Sequence, residues 1–453
     1  MNALEVAGRA LANVDGQAIA RVVRERSLML RFAGNRPTQS TAVDDVTVEV
    51  AVIRRGHVGR ATTNRTDSEG LAGCAGRATE AAAVAATAGP GDHPDLFVTP
   101  GETAVLEGAF DPATALLDPA PGVQAMAAAF EVARRSGLEA HGTWTVAEQE
   151  HAVTDGEANR TERTTDAYMK VICISPEGRR SGYAARAAQA VAELDGRALA
   201  ERAAAKAELD GKPVELAPGA YSVVMEPHAV GELLDLFAAS ALNGLAHVEG
   251  RGALAGQLGS RVAAPAVNLA DSPRYRLSLP RSFDAEGTDK RPVPLIEDGV
   301  AKNVVHDWRS AALAGVKSTG HALAPGGDPM GPHPTNLVLA GGGATDVEEL
   351  CGPIERGLYI TRLWYSNLVR PKETLITAVT RDGTFLIEDG VVARPVRDLR
   401  LTDSLLGILS RVEALTAAQK LTTAGEFYGR RFAYGVVCPA LRVGSVRFTG
   451  ATG

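Results

Sequence analysis

The stretch VTVEVAVI, residues 46–53, alternates small apolar and polar side chains with a period of two. Successive strand residues point to opposite faces, so this pattern is that of an antiparallel strand with one apolar face. No other feature constrains the fold as much, because that face has to be covered by another layer. Just upstream, SLMLRFAGNRPTQS (27–40) reads as a strand, preceded by a short helix from Ala3 to Val14. Downstream, GHVGRATT begins a further strand, and an alanine-rich helix follows with Asp67 or Ser68 as its N-cap. TAGPGDHPDLFVTPGE (87–102) has glycine and proline without periodicity and reads as a loop. A helix over 122–135 then leads into LEAHGTWTVAEQEHAVTDG (138–156) and TTDAYMKVICIS (164–175), two strands of one meander. DGRALAERAAAKAEL (195–209) is an amphipathic helix capped by Asp195.

Turn residues in DGKPVELAPGA (210–220) mark a domain boundary, which predicts an N-terminal domain over 1–210 and a C-terminal domain over 219–453. The second half opens with YSVVMEPHAVGELLDLFAASALNGL (221–245), a strand that meets Pro227 and becomes a helix. It ends strand-rich over 357–401, with a helix expected over 402–415. LIEDGV occurs twice, at 295–300 and 386–391, each time as a strand entering an Asp-Gly turn. The fold class is α+β: two domains of largely antiparallel sheets with segregated helices.

Composition narrows the function. A net charge of −7 with acidic and basic residues interspersed lacks the clustered Lys and Arg of a phosphate-binding footprint, so no nucleic acid is expected. No apolar run reaches the ~20 residues of a membrane span, so no membrane is expected. Cys74, Cys173, Cys351 and Cys438 are scattered and read as buried thiols in a reducing compartment, which implies a cytoplasmic protein.

Chemistry is harder to find. His228 and Glu232 stand four apart, as two zinc ligands on one helix face would. Against this, Val230, Leu233, Leu234, Phe237, Ala241 and Leu245 form an apolar stripe, so the helix packs on a core. His228 and Glu232 then lie in its first turn, where a carboxylate suits the helix dipole, and Asp235 is expected to point elsewhere. There is no G-x-S-x-G elbow, and GGGATDVEE lacks the lysine of a phosphate loop. His306, His321 and His333 read as hydrogen-bonded structural groups; whether they converge is open at this level.

SLMLRFAGNRPTQST with GRATTNRTD resembles the N-terminal domain of the TldD/PmbA metallopeptidase family. FDAEG…PLIEDGVAKNVVHDWRSA, STGHA, PTNLVLAGGG, GLYITRLWYSNLV, VEGRGALAGQLGSRV and RVGSVRFTG resemble its C-terminal domain, in the same order. The family has two kinds of subunit. The TldD type carries H-E-x-x-x-H on the helix after the strand matching YSVVMEP, with a cysteine completing a zinc site; the TldE (PmbA) type lacks these ligands and pairs with it. The resemblance places H-E-x-x-x-H on DLFAAS, so its first histidine falls on Asp235, its glutamate on Leu236 and its second histidine on Ser240. His228 and Glu232 precede that window, and Cys438 directly before Pro439 is not where the ligand cysteine sits.

What the resemblance implies is a TldE-type chain with no catalytic residues and no metal of its own. Zinc is expected on a TldD-type paralogue with which it forms a heterodimer, the pair enclosing a cavity that cleaves small or unfolded peptides. Asp235, Ser240, Arg362, Tyr365 and Asn367 are its expected cavity residues. Two alternatives stay open: an independent hydrolase with a diverged metal site on His228, Glu232 and a distant histidine, and a homodimeric peptide-binding scaffold.

Overall fold

The computed structural model describes residues 2–12, 14–100, 106–209, 212–423 and 431–451. The first sheet is a six-stranded antiparallel layer of β1 (Ala18–Ala33), β2 (Arg36–Arg54), β3 (His57–Thr63), β4 (Glu139–Thr154), β5 (Asn159–Ile174) and β6 (Ser181–Ala188). Their spatial order is β3-β2-β1-β4-β5-β6. Helices α1 (Ala3–Leu11), α2 (Ser68–Ala85), α3 (Pro112–Ala115), α4 (Ala120–Arg135) and α5 (Gly196–Glu208) come from the same half. Asp67 caps α2 by accepting from the Gly70 amide, and Asp195 caps α5 through Ala198.

The period of two decides which layer each side chain meets. Val22, Val50 and Ala152 pack with α1 and α2, while Leu30, Phe32, Trp144 and Met169 pack with α4 and α5. The opposite parity is covered by the second half of the chain. There Arg21 donates to the Leu323 carbonyl at 3.1 Å, and Tyr168 and Tyr183 cluster with Leu279, Val338 and Val437. The first sheet is therefore covered on both faces, by helices on one side and the second half on the other.

The second sheet has eleven strands: β7 (Gly219–Met225), β8 (Leu269–Asp271), β9 (Val293–Glu297), β10 (Val300–Ala301), β11 (Asn336–Leu339), β12 (Arg356–Arg370), β13 (Leu375–Glu388), β14 (Val391–Pro395), β15 (Leu399–Ser404), β16 (Val412–Thr422) and β17 (Gly435–Ala451). Pairings β11–β17 and β7–β12 are parallel and the others antiparallel. Because β7 pairs with both β12 and β17, the path β17-β15-β13-β12-β7 closes on itself. Its core holds Leu358, Ile360, Ile376, Leu401 and Val443 together with the apolar stripe of α6 (Pro227–Ala241). Four shorter helices complete the half: α7 (Gly244–Val248), α8 (Trp308–Ala314), α9 (Val347–Cys351) and α10 (Leu405–Ser410).

Both LIEDGV copies are hairpins. Asp298 and Gly299 have φ of 47° and 75°, Asp389 and Gly390 of 48° and 81°, the doubly positive pair of a type I′ turn. The same chemistry corrects one expectation. Residues 27–40 are not a single strand, because Gly34 (φ 58°) and Asn35 (φ 56°) turn the chain back between β1 and β2. The helix expected over 402–415 is confined to Leu405–Ser410, since Val412–Thr422 pairs with β17 instead. The first helix stops at Leu11, short of Val14. In the expected boundary 210–220, residues 210 and 211 lie outside the described residues. No helix among the described residues is long and apolar enough to cross a membrane.

Candidate functional site

The site grows out of the β7–α6 junction. Pro227 occupies the first turn of α6, where its missing N–H costs no hydrogen bond. Glu226 precedes it, buried, with Lys206 Nζ 2.5 Å away and the Tyr359 hydroxyl donating at 2.7 Å. Val230, Leu233, Leu234 and Phe237 then face the core. Residues at i, i+4 and i+7 share the other face, so His228, Glu232 and Asp235 all line one cavity of about 490 Å³. Asp235 thus shares the face of His228 and Glu232 instead of pointing elsewhere, because seven residues are nearly two full turns.

The remaining walls come from far along the chain. Tyr168 and Lys170 of β5 and Tyr183 of β6 bring in the first sheet. Arg362, Trp364 and Tyr365 come from β12, and Tyr434 from the entry to β17. Strand β12 is bulged here: Trp364 pairs with Val379 and Asn367 with Thr377, leaving Tyr365 and Ser366 opposite Ala378 alone. Tyr365 sits at φ 51°, an uncommon conformation for a bulky residue, and the bulge re-aims both side chains.

Electrostatically the helix face is acidic. The Tyr434 hydroxyl donates to Asp235 Oδ2 at 3.3 Å, and His333 Nε2 lies 3.6 Å from Asp235 Oδ1. Desolvation of its carboxyl, opposed by Ser366 and reinforced by Asp235, pushes Glu232 above the ordinary range although the residue as a whole keeps solvent contact. Arg362 is committed to Asp382, with Nε donating at 2.9 Å, and its guanidinium lies over the rings of Tyr183 and Trp364. His228 packs edge-on to Tyr183, and burial pushes its imidazole down to about 4 despite Glu226.

That last shift has a sign. An unfolded histidine titrates near 6.5, so between about 6.5 and about 4 the unfolded chain binds the proton that folded His228 refuses. Stability from this group is complete above about 6.5 and drains as pH falls toward about 4. Glu226, Lys420 and Lys206 face the ring, the first favouring its protonation and the two lysines opposing it. His228→Phe is therefore expected to lose less stability than wild type between those pH values in thermal melts. Parallel curves for the two proteins would refute the assignment.

The other expected residues separate. Ser240 is buried, its hydroxyl donating to the Leu236 and Phe237 carbonyls, so it does not face the cavity. The reason is helical phase: five residues beyond Asp235 is the core side. Leu236 packs against the same core. Arg362 and Tyr365 line the cavity, whereas Asn367 lies in a neighbouring depression of about 670 Å³ beyond Trp364 and Tyr365. His306 meets Ser310 at 3.2 Å, His321 meets Asp271 at 3.0 Å and His333 meets Asp235 at 3.6 Å, so the three rings serve separate polar contacts although the His333 amide donates to the His321 carbonyl at 3.2 Å. Cys438 is buried beneath the first turn of α6, its thiol donating to the Pro227 carbonyl at 3.2 Å. Trp364 belongs to the strand 358–369 that the resemblance puts beside the site, whereas Tyr168, Lys170, Tyr183 and Tyr434 are marked by no local pattern.

Zinc needs three or four convergent ligands. Asp235 and His333 supply two, Leu236 has no donor and the Ser240 hydroxyl is spent inside its own helix. Among the described residues no group of three or more His, Cys, Asp or Glu is arranged to hold a metal ion. The residues present at α6 thus do not form a zinc set.

Known proteins resemble this chain in both halves. A family model described as the PmbA/TldA metallopeptidase C-terminal domain matches residues 218–450, and its domain 1 matches 18–82. A metalloprotease of Methanothermobacter thermautotrophicus is 26% identical over 197 residues, 44% of this chain and 43% of that protein. A metalloprotease TldD homolog of Buchnera aphidicola is 25% identical over 203 residues, 44% of this chain and 41% of its own length. The chain thus spans about two fifths of the curated relatives that it matches. The crystal structure of TldE from Thermococcus kodakarensis superposes with a TM-score of 0.81 at 20% identity, covering 98% of this chain and 99% of that one, and so shares its fold. With one family model running from 218 to 450 of its 453 residues, this chain belongs to the PmbA/TldD metallopeptidase family.

Proposed function

We propose that this chain is the TldE-type, metal-free subunit of a two-chain zinc peptidase, paired with a TldD-type subunit that carries H-E-x-x-x-H. The observation that carries this reading is the state of the three positions on which that motif falls. Asp235 faces the cavity, but Leu236 packs on the core and Ser240 is turned inward with its hydroxyl satisfied. A zinc hydrolase needs neutral imidazole ligands and a carboxylate that takes a proton from bound water, and Leu236 has no proton to exchange. The likeness of fold to TldE supports the same assignment.

In this reading residues 1–210 and 219–453 are two domains, and the cavity beside α6 is kept as part of the chamber wall after its chemistry is gone. Positioning and sequestration of a peptide are separable from cutting it. The substrate class is a small or unfolded peptide, and the four buried free thiols suit a reducing cytoplasm.

Gentle affinity purification from the native host tests the proposal. The expected result is a stoichiometric paralogue with H-E-x-x-x-H, with zinc and peptidase activity travelling with the pair. A chain that comes out alone, or only with copies of itself, would overturn it. One zinc per isolated chain that disappears in His228→Ala would instead favour an independent hydrolase.

A further inference from the structure

We propose that the cavity beside α6 is a binding site for a cationic side chain, of the lysine type, on an extended peptide. The inference rests on the reading above, in which this chain helps to enclose the peptide that its partner cuts. It adds what that cavity selects.

Size comes first. About 490 Å³ lies within the roughly 300–1,000 Å³ of small-ligand sites and accommodates one long side chain with its flanking backbone. Charge comes next. Glu232 and Asp235 are adjacent on one helix face, and burial with mutual repulsion opposes ionisation of Glu232. A cation between them relieves that repulsion and gains charge-assisted hydrogen bonds. Asp235 Oδ1 is buried with His333 Nε2 3.6 Å away and Oδ2 accepts from Tyr434, so the partly exposed carboxylate lends its negative charge to the cavity wall.

The positive groups of the wall do not cancel the pair. Arg362 is already matched by Asp382, and its guanidinium covers the Tyr183 and Trp364 rings. Lys170 contributes one charge against two carboxylates, and His228 stays neutral at physiological pH because burial holds it near 4. His333 faces Asp235 from outside the lining. Tyr168, Tyr434 and the bulge residue Tyr365 provide ring surface for an alkyl stem, with Tyr365 73% exposed at the mouth. An acidic side chain would meet two carboxylates here, and an aliphatic one would cover the partly exposed Asp235 carboxylate without supplying a donor.

The test uses the purified full-length chain and three blocked tripeptides: acetyl-Gly-Lys-Gly-amide, its norleucine analogue and its glutamate analogue. Calorimetric or NMR titration is expected to show the lysine peptide binding about tenfold more tightly than norleucine, with the glutamate peptide weakest. In the isosteric double variant Glu232→Gln with Asp235→Asn, lysine and norleucine peptides should bind alike. Equal affinities in the wild-type chain, tighter binding of the glutamate peptide, or a preference that survives the double variant would each overturn the inference. Should the double variant not fold, the wild-type ranking alone decides. A chain that captures its paralogue yet ignores charge sinks this inference and spares the accessory reading. A chain that prefers lysine yet purifies alone does the reverse.

Discussion

Replacing Asp271 by alanine is expected to cost about 3–5 kcal/mol of stability, because it removes the anion that touches both Lys290 and His321 in a buried group of charges. Asp271 ends β8 with no solvent exposure. Its Oδ1 lies 3.0 Å from His321 Nε2 and 3.5 Å from Lys290 Nζ, and its Oδ2 accepts from the Asn336 amide at 2.8 Å. Burial alone would raise this carboxyl, but Lys290 and then His321 outweigh it and hold it below the ordinary carboxylate range. Lys290 is itself buried, and burial already pulls its ammonium down. Without Asp271 that ammonium is left with the charge of buried Asp284, which acts on it less strongly than Asp271 does. Urea unfolding followed by circular dichroism measures the loss, and a change under about 1 kcal/mol would sink the account. The pH dependence gives a second check. A depressed carboxyl stabilises fully above its unfolded value, so the gap between wild type and variant should narrow as pH falls below about 4.

Arg431→Ala is expected to be comparably costly, about 3–5 kcal/mol, and to act where the two halves meet. Arg431 is buried and pairs bidentately with Asp166 of β5, with Nε donating at 3.1 Å. Its amide donates to Glu25 at 3.1 Å and its carbonyl accepts from Gln149 at 3.0 Å, both on the first sheet. Truncation strands Asp166 in a dry contact between the sheets. Hydrogen exchange is the discriminating measurement. Faster exchange is expected in β5 and at the start of β17, with α4 and α5 unchanged. If protection at β5 equals wild type, Arg431 does not tie the halves together.

Much of the secondary structure was legible because it is written in short-range chemistry. Asp67 and Asp195 cap the helices they precede, and both Asp-Gly pairs turn the chain as two positive φ values require. The misses are of the same kind. Gly34-Asn35 is an equally good turn inside a stretch whose apolar pattern reads as one continuous strand, and the apolar run after Ser404 has helical spacing although Val412–Thr422 pairs with β17. Local periodicity does not know which partner strand is near.

The site divides similarly. From α6 the sequence supplies His228, Glu232 and Asp235 at helical spacing; read from the residues alone Asp235 is turned away from the first two, whereas the family resemblance puts it in the cavity that it lines, and Ser240 is in the core. His333 stood alone in the sequence, and only folding sets it 3.6 Å from Asp235. Tyr168, Tyr183 and Tyr434 reach the cavity from β5, β6 and the approach to β17, separated from α6 by dozens to hundreds of residues with no motif between.

By itself, then, the sequence determined most of the strands and helices, the apolar faces that had to be covered, and that Asp235, Leu236 and Ser240 carry neither imidazole nor glutamate. Those are properties of a residue and its near neighbours. Tertiary structure alone decided that the second face of the first sheet is covered by the other half, that β17 closes on β7, and that an acidic pair meets a ring of tyrosines. The reason is physical: burying a face is demanded locally, but which distant surface buries it depends on packing that the whole chain settles at once.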